Sequence, residues 1–115
     1  MKLLVIDDDP VFGKLICKHG KQRGLNIDHF ESLDHMGFFV KMKDYDIIII
    51  DFKLERLNGM EIAAYIPSFF SDKKVYIISS SSLDETLNKS PLPSHINAFI
   101  HKDKGVDEIL TQAIA

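Results

Sequence analysis

Four consecutive isoleucines, Ile47 to Ile50, end in a single acid, Asp51. Isoleucine is stiff at its β-carbon and favours extended backbone, and a run without alternation has no face to give to water. Such a strand belongs in the middle of a parallel sheet with helices over both faces, and parallel neighbours need long crossover connections. Short apolar runs elsewhere supply the neighbours: Lys2 to Asp7, about Asn26 to Glu31, Lys74 to Ser79 and Ala98 to Lys102, with the isoleucine strand itself spanning Asp46 to Asp51. Stretches of helical periodicity separate them. The expectation is an α/β fold, a doubly wound parallel sheet of five strands.

The first crossover carries clear signals. Asp9 suits the N-cap and Pro10 the first helical position, and Val11, Phe12, Leu15 and Ile16 form an apolar stripe. Gly20 or Gly24 ends this helix, after Lys18, Lys21 and Arg23 have met its negative pole. A second helix is expected from Leu33 to about Met42 and a third from about Gly59 to Ile66, where Pro67 stops or kinks it. The fourth, Leu83 to Lys89, is short or irregular, because Pro91 and Pro93 follow it at once. The fifth and last places Val106, Ile109, Leu110, Ala113 and Ile114 on one face.

Length and charge narrow the function. The 115 residues suit one domain, and 45% hydrophobic with 27% charged residues can build a packed core, which excludes disorder and collagen-like repeats. A formal net charge of −3 leaves no basic excess for nucleic acid. Cys17 is alone, so no disulfide can form within the chain, and a reducing, cytoplasmic setting is expected. The apolar start is too short for a signal peptide, and no stretch approaches the roughly 18 residues of a membrane span.

In a doubly wound sheet, ligands bind beyond the carboxyl ends of the strands. Those ends are Asp7 and Asp8, Asp51, Ser79 and Lys102. Carboxylates gathered at one rim repel one another and call for a cation, and Mg²⁺ is held by one or two carboxylates while keeping sites for water or phosphate oxygen. An ammonium and a hydroxyl at the same rim can neutralise and hydrogen-bond the remaining phosphoryl oxygens. The combination points to phosphoryl chemistry on a carboxylate.

With these residues in place the sequence resembles the receiver domain of two-component response regulators over essentially its whole length. The matching pieces are Val5-Ile6-Asp7-Asp8-Asp9-Pro10, Ile50-Asp51-Phe52-Lys53-Leu54 with Gly59 beyond, Ile78-Ser79-Ser80, and Ala98-Phe99-Ile100-His101-Lys102. The resemblance implies a flavodoxin-like sheet of strand order 2-1-3-4-5. It implies Asp51 as phosphoacceptor, Asp8 as direct Mg²⁺ ligand, Asp7 acting on the metal mainly through water, and the Lys53 carbonyl as a further ligand, with Mn²⁺ able to replace Mg²⁺. It makes Ser79 the hydroxyl donor to the phosphoryl group, Lys102 its ionic partner, and Ser79 with Phe99 the switch. The implied partner is a sensor histidine kinase or histidine phosphotransfer protein, with a homodimer through the fourth helix, fifth strand and fifth helix. The domain would switch between inactive and active states, catalysing only its own phosphorylation and dephosphorylation.

Some positions depart from the family pattern. Glu55 and Asp103 stand where prolines are common, and Lys53 and Ser81 occupy positions that tune acyl phosphate lifetime. The proline-broken fourth helix implies a partner or dimer mode unlike the usual one. Residues 1–115 are read as one receiver with no output domain in the chain. The last helix reaches the final residue, so a receiver belonging to a longer regulator, with any DNA-binding output beyond it, stays open.

Simpler roles compete with several of these. Asp9 is an N-cap rather than a third metal ligand. Ser80 could carry the hydroxyl role instead of Ser79, and Phe99 could merely pack its strand. His19, His29, His35, His95 and His101 lack metal-ligand spacing and read as surface or packing residues. Two further functions remain: a pseudo-receiver that binds without phosphorylation, and a haloacid-dehalogenase-like phosphatase, whose D-x-D-x-V loop Asp7 to Val11 also fits. In that family the hydroxyl and lysine motifs precede the second acidic motif, whereas Asp51 here precedes Ser79 and Lys102.

Overall fold

A computed structural model of the chain describes residues 1–31, 44–51, 73–79 and 98–115. The expected second, third and fourth helices, and with them Lys53, Glu55, Gly59, Pro67, Ser80, Ser81, Pro91 and Pro93, lie outside the described residues. Five strands are present: β1 (Lys2–Ile6), β2 (Asn26–Phe30), β3 (Ile47–Asp51), β4 (Lys74–Ser79) and β5 (Ala98–His101). They form one parallel sheet in the order β2-β1-β3-β4-β5. The isoleucine strand is central and buried along its whole length, as its unbroken apolar run requires. Asp7 and Lys102, expected as last strand residues, lie one residue past β1 and β5, the usual uncertainty at an element end.

Helix α1 (Pro10–Gln22) follows β1, and α2 (Val106–Ile114) follows β5 after a single 3₁₀ turn at Lys102–Lys104. The Asp9 side chain accepts from the N–H groups of Val11 and Phe12, satisfying donors that the first turn leaves unpaired. Gly24, not Gly20, provides the stop. It sits at φ +75°, and the Gly24 and Leu25 N–H groups return to the Lys21 and Gly20 carbonyls at 3.1 and 2.9 Å, a Schellman closure.

The expected stripe of α1 is half right. Phe12 and Ile16 are buried, but Val11 and Leu15 are 65% and 45% exposed. The face against the sheet is instead Phe12, Gly13, Ile16 and Gly20, because glycines allow α1 to lie close on β2. A β-carbon on Gly13 would stand 2.2 Å from the His29 ring. In α2, Ile109, Leu110 and Ala113 are buried, with Val106 and Ile114 packed beside them, as the periodicity required.

These helices share one face of the sheet. Phe12 and Ile16 of α1 and Ile109, Leu110 and Ala113 of α2 cluster with Leu3, Val5, Ile47, Ile49, Ile78 and Ile100. Since side chains alternate along a strand, Asp7, Asp51 and Lys102 continue the same rows, two positions past Val5, Ile49 and Ile100. Ser79, one position past Ile78, belongs to the opposite parity.

Candidate functional site

The parallel register brings the strand ends together. Ile6 pairs with Ile50, so Asp7 stands level with Asp51; Asp51 pairs with Ile78, and Ser79 with His101. Carboxylate oxygens of Asp7, Asp8 and Asp51 can be chosen that all lie within 4.8 Å of one another. Asp7 is fully buried, Asp51 is 6% exposed, and Asp8 faces solvent.

Each oxygen of Asp7 has a distinct environment. Oδ1 accepts from the Asp9 N–H at 2.9 Å, tying the carboxylate to the cap of α1. Oδ2 is buried and has no aligned hydrogen-bond donor, yet Lys102 Nζ lies 2.6 Å away. That contact is an ion pair without hydrogen-bond geometry, so the oxygen keeps the capacity to accept another ligand. Lys102 Nζ is also 3.8 Å from Asp51 Oδ2. Its side chain is only 15% exposed, so the charges interact with less screening than surface ions do.

A buried carboxylate oxygen without an aligned donor, among three clustered acids, fits a hard divalent cation. The acids supply the oxygen ligands that Mg²⁺ prefers, and the one positive charge of Lys102 does not by itself balance three carboxylates.

Ser79 is buried at the end of β4, beside the end of β5. Phe99 is the second residue of β5 and pairs with Ile77. His101 does not face the acids. Its Nδ1 accepts from the Asp103 N–H at 3.1 Å and caps the 3₁₀ turn that carries Lys102.

Two neighbours of the site escaped the sequence reading. His29, read as a surface or packing residue, places Nε2 at 2.7 Å from the Asp7 carbonyl. A carbonyl only accepts, so Nε2 carries the proton and donates. Gly13 makes room for that ring. Phe12, read only as part of a stripe, puts its ring under Lys102, with Nζ 4.7 Å from the centroid. Neither contact has a local signal, because each joins residues from separate elements.

Comparison with known proteins agrees with this arrangement. The response regulator receiver domain family matches residues 3–114, and the chain belongs to that family. It is 27% identical over 81 residues to a probable transcriptional regulatory protein, SilR, of Salmonella typhimurium. That match covers 70% of this chain but 35% of SilR, so the chain spans about a third of that relative's length. Among solved structures it is similar to the response regulator TrrA of Thermotoga maritima in complex with Mg²⁺ and BeF, with a TM-score of 0.80 at 22% identity, covering 96% of this chain and 94% of that one. It is also similar to the BeF3-activated N-terminal receiver domain of Klebsiella pneumoniae RstA, with a TM-score of 0.82 at 18% identity, covering 97% and 94%. At these identities the likeness speaks to the fold. The chain is thus a two-component signalling switch domain, flavodoxin-like in topology, and the family match decides against the phosphatase alternative. Among the described residues no helix is long and apolar enough to cross a membrane.

Proposed function

We propose that this domain accepts a phosphoryl group on Asp51 from a phosphohistidine donor, a sensor kinase or histidine phosphotransfer protein. The observation that carries the reading is the meeting of Asp7, Asp8 and Asp51 oxygens within 4.8 Å, with Lys102 Nζ 2.6 and 3.8 Å from two of them. Asp7, Asp8, Asp51 and the Lys53 carbonyl would hold Mg²⁺, or Mn²⁺ in its place. When bound, such an ion neutralises the carboxylates and draws charge from phosphoryl oxygens.

A carboxylate oxygen of Asp51 attacks phosphorus; the new P–O bond forms as the P–N bond to the donor imidazole breaks, and the imidazole leaves with its electron pair and takes a proton. Lys102 moves from Asp7 toward the transferred group and offsets its charge, while the Ser79 hydroxyl donates to a phosphoryl oxygen. Asp9 and His29 act at a distance by fixing the Asp7 side chain and carbonyl. Withdrawal of Ser79 toward the phosphoryl group leaves space for Phe99 to turn inward. The modification thereby shifts an existing equilibrium between inactive and active states, as any ligand with differential affinity must. Hydrolysis of the acyl phosphate resets the switch, and no separate substrate is turned over. Residues 1–115 are read as one such receiver unit.

The test is incubation with a small acyl phosphate and Mg²⁺, followed by intact mass, for wild type and Asp51→Asn. One phosphoryl adduct on the wild type, absent from the variant and absent when the metal is chelated, is expected. An unmodified wild type overturns the reading and leaves a phosphorylation-independent binding module.

A further inference from the structure

The position of Lys102 is determined by more than its acidic partners. Its ammonium lies 4.7 Å from the centroid of Phe12, a residue of the first turn of α1 that is 8% exposed. We infer that Phe12 is a positioning residue: its ring face is the floor on which the Lys102 ammonium moves between Asp7 and a phosphoryl group on Asp51. The inference rests on the proposed phosphoacceptor reading, and concerns how that site keeps its cation in place.

Among the described residues three groups surround the ammonium: the Asp51 carboxylate, with Oδ2 at 3.8 Å, the Phe12 ring, with its centroid at 4.7 Å, and, nearest, the Asp7 carboxylate, with Oδ2 at 2.6 Å. They differ in kind. The Asp7 carboxylate is a point partner, and its Oδ2 is the oxygen best suited to a divalent cation, because it is buried and lacks an aligned donor. Once that carboxylate turns to a metal, Lys102 loses its nearest anion and is repelled by the new positive charge. A lysine has a flexible four-carbon stem, and the Asp51 carboxylate 3.8 Å away would itself be shared with the metal, so the ammonium needs a further attraction to stay out of water.

The ring supplies that attraction. An aromatic face attracts a cation electrostatically, more strongly where water is excluded, and it does so over an area rather than at one atom. The ammonium can therefore slide over the ring without breaking a directional bond. The floor itself is fixed: the Phe12 N–H donates to Asp9 Oδ1 at 3.3 Å, and the Asp9 N–H donates to Asp7 Oδ1 at 2.9 Å. Ring, helix cap and acidic loop are one unit, so the floor keeps its place relative to Asp7. Leucine or methionine at position 12 would fill the core but present no face.

Four variants and a resonance test this on the full chain. The Lys102 ε-methylene protons should resonate upfield of the ordinary lysine position through the ring current of Phe12, and return toward it in Phe12→Leu and Phe12→Met. Phosphoryl uptake from acetyl phosphate with Mg²⁺ should slow about three- to tenfold in both, the range a partly desolvated cation–π contact implies. Phe12→Tyr, which keeps the face, should retain both the shift and most of the rate. Unshifted Lys102 protons in the wild type, or wild-type uptake in Phe12→Leu and Phe12→Met while Lys102→Ala is impaired, would overturn the inference alone. Wild-type uptake in Lys102→Ala would instead break the reading of Lys102 and the inference with it.

Discussion

The two ends of the sheet treat their carboxylates in opposite ways. At the amino end, Tyr45 OH donates to Asp28 Oδ2 at 2.7 Å, the Lys2 N–H donates to Asp46 Oδ2 at 2.9 Å, Lys73 Nζ donates to the Tyr45 carbonyl, and Lys2 Nζ lies over the Tyr45 ring. Asp28 and Asp46 there each meet a donor. At the carboxyl end three carboxylates gather within 4.8 Å, Lys102 pairs with two of them, and a buried Asp7 oxygen lacks an aligned donor. Unsatisfied polar groups cost free energy, so only the second arrangement gains from a ligand. One end holds the fold together, and the other keeps binding capacity in reserve.

The largest effect that tests this contrast is at Asp51. Asp51→Asn should abolish the phosphoryl adduct and yet raise the stability of the metal-free protein by about 1 kcal/mol, because one of the clustered negative charges is gone. Urea unfolding in chelator, beside intact mass, measures both. Lower stability in the variant would show that this end is as well paired as the other, and the contrast would fail.

At the amino end the opposite result is expected. Tyr45→Phe should cost about 1–2 kcal/mol, since the Asp28 carboxylate loses its donor, and should leave phosphoryl uptake unchanged. Burial first, then the hydrogen bond to Asp28, pushes the Tyr45 phenol well above its ordinary value of 10.0. A raised value in the folded state favours the protonated form, so the contribution is fully present below that ordinary value and is lost as pH rises through the folded one. In alkaline urea titrations, the gap between wild type and Tyr45→Phe should therefore close. A gap independent of alkaline pH would break the assignment of stability to this pair.

How much of this was legible in the sequence follows from which contacts are local. Ile47 to Ile50 announced the central strand, and Asp9-Pro10 announced the start of α1, because strand burial and capping depend on adjacent residues. Asp7, Asp51, Ser79 and Lys102 were legible as strand-end residues, since a parallel sheet aligns those ends whatever the helices do. His29, Phe12 and Tyr45 were not. Their partners lie 22, about 90 and 17 residues away in sequence, and a periodic pattern cannot tell an aromatic that only packs from one that carries a cation. The outward turn of Val11 and Leu15 was hidden for a related reason: small Gly13 and Gly20, not larger apolar residues, define the face of α1 against β2.

Gly13 gives a smaller test, because it connects the scaffold to the reactive end. Gly13→Ala adds a β-carbon 2.2 Å from the His29 ring, and overpacking of this kind costs about 1–3 kcal/mol. Alanine returns about 1 kcal/mol through helix propensity, so the net loss should be about 1 kcal/mol. The displaced ring no longer holds the Asp7 carbonyl, and Mg²⁺ affinity measured by calorimetry should fall with it. Adding His29→Ala makes room and should recover stability but not affinity. Recovery of both would show that His29 only fills space.

The smallest effect belongs to the flank between the helices, which serves neither end. His19 Nδ1 lies 2.9 Å from Asp107 Oδ1, and Arg23 donates to the Asp107 carbonyl at 2.9 Å and to Thr111 Oγ1 at 3.1 Å. The hydrogen bond from His19, with the charges of His19 and Arg23, holds the Asp107 carboxyl below its ordinary value of 3.8. A depressed value in the folded state favours the charged form. Its contribution is therefore present above that ordinary value and is lost as pH falls through the folded one. The carboxylate is exposed, so water and salt screen it, and the effect should be slight. Wild type and Asp107→Asn should differ in urea midpoint in mildly acidic solution, converge as pH falls through the folded value, and converge at every pH in about 1 M salt. Phosphoryl uptake should be the same in both. Altered uptake in Asp107→Asn would mean that the link between α1 and α2 reaches the acidic pocket, through the helix that carries Phe12 or the turn that carries Lys102, and that the division between a holding end and a reacting end is not complete.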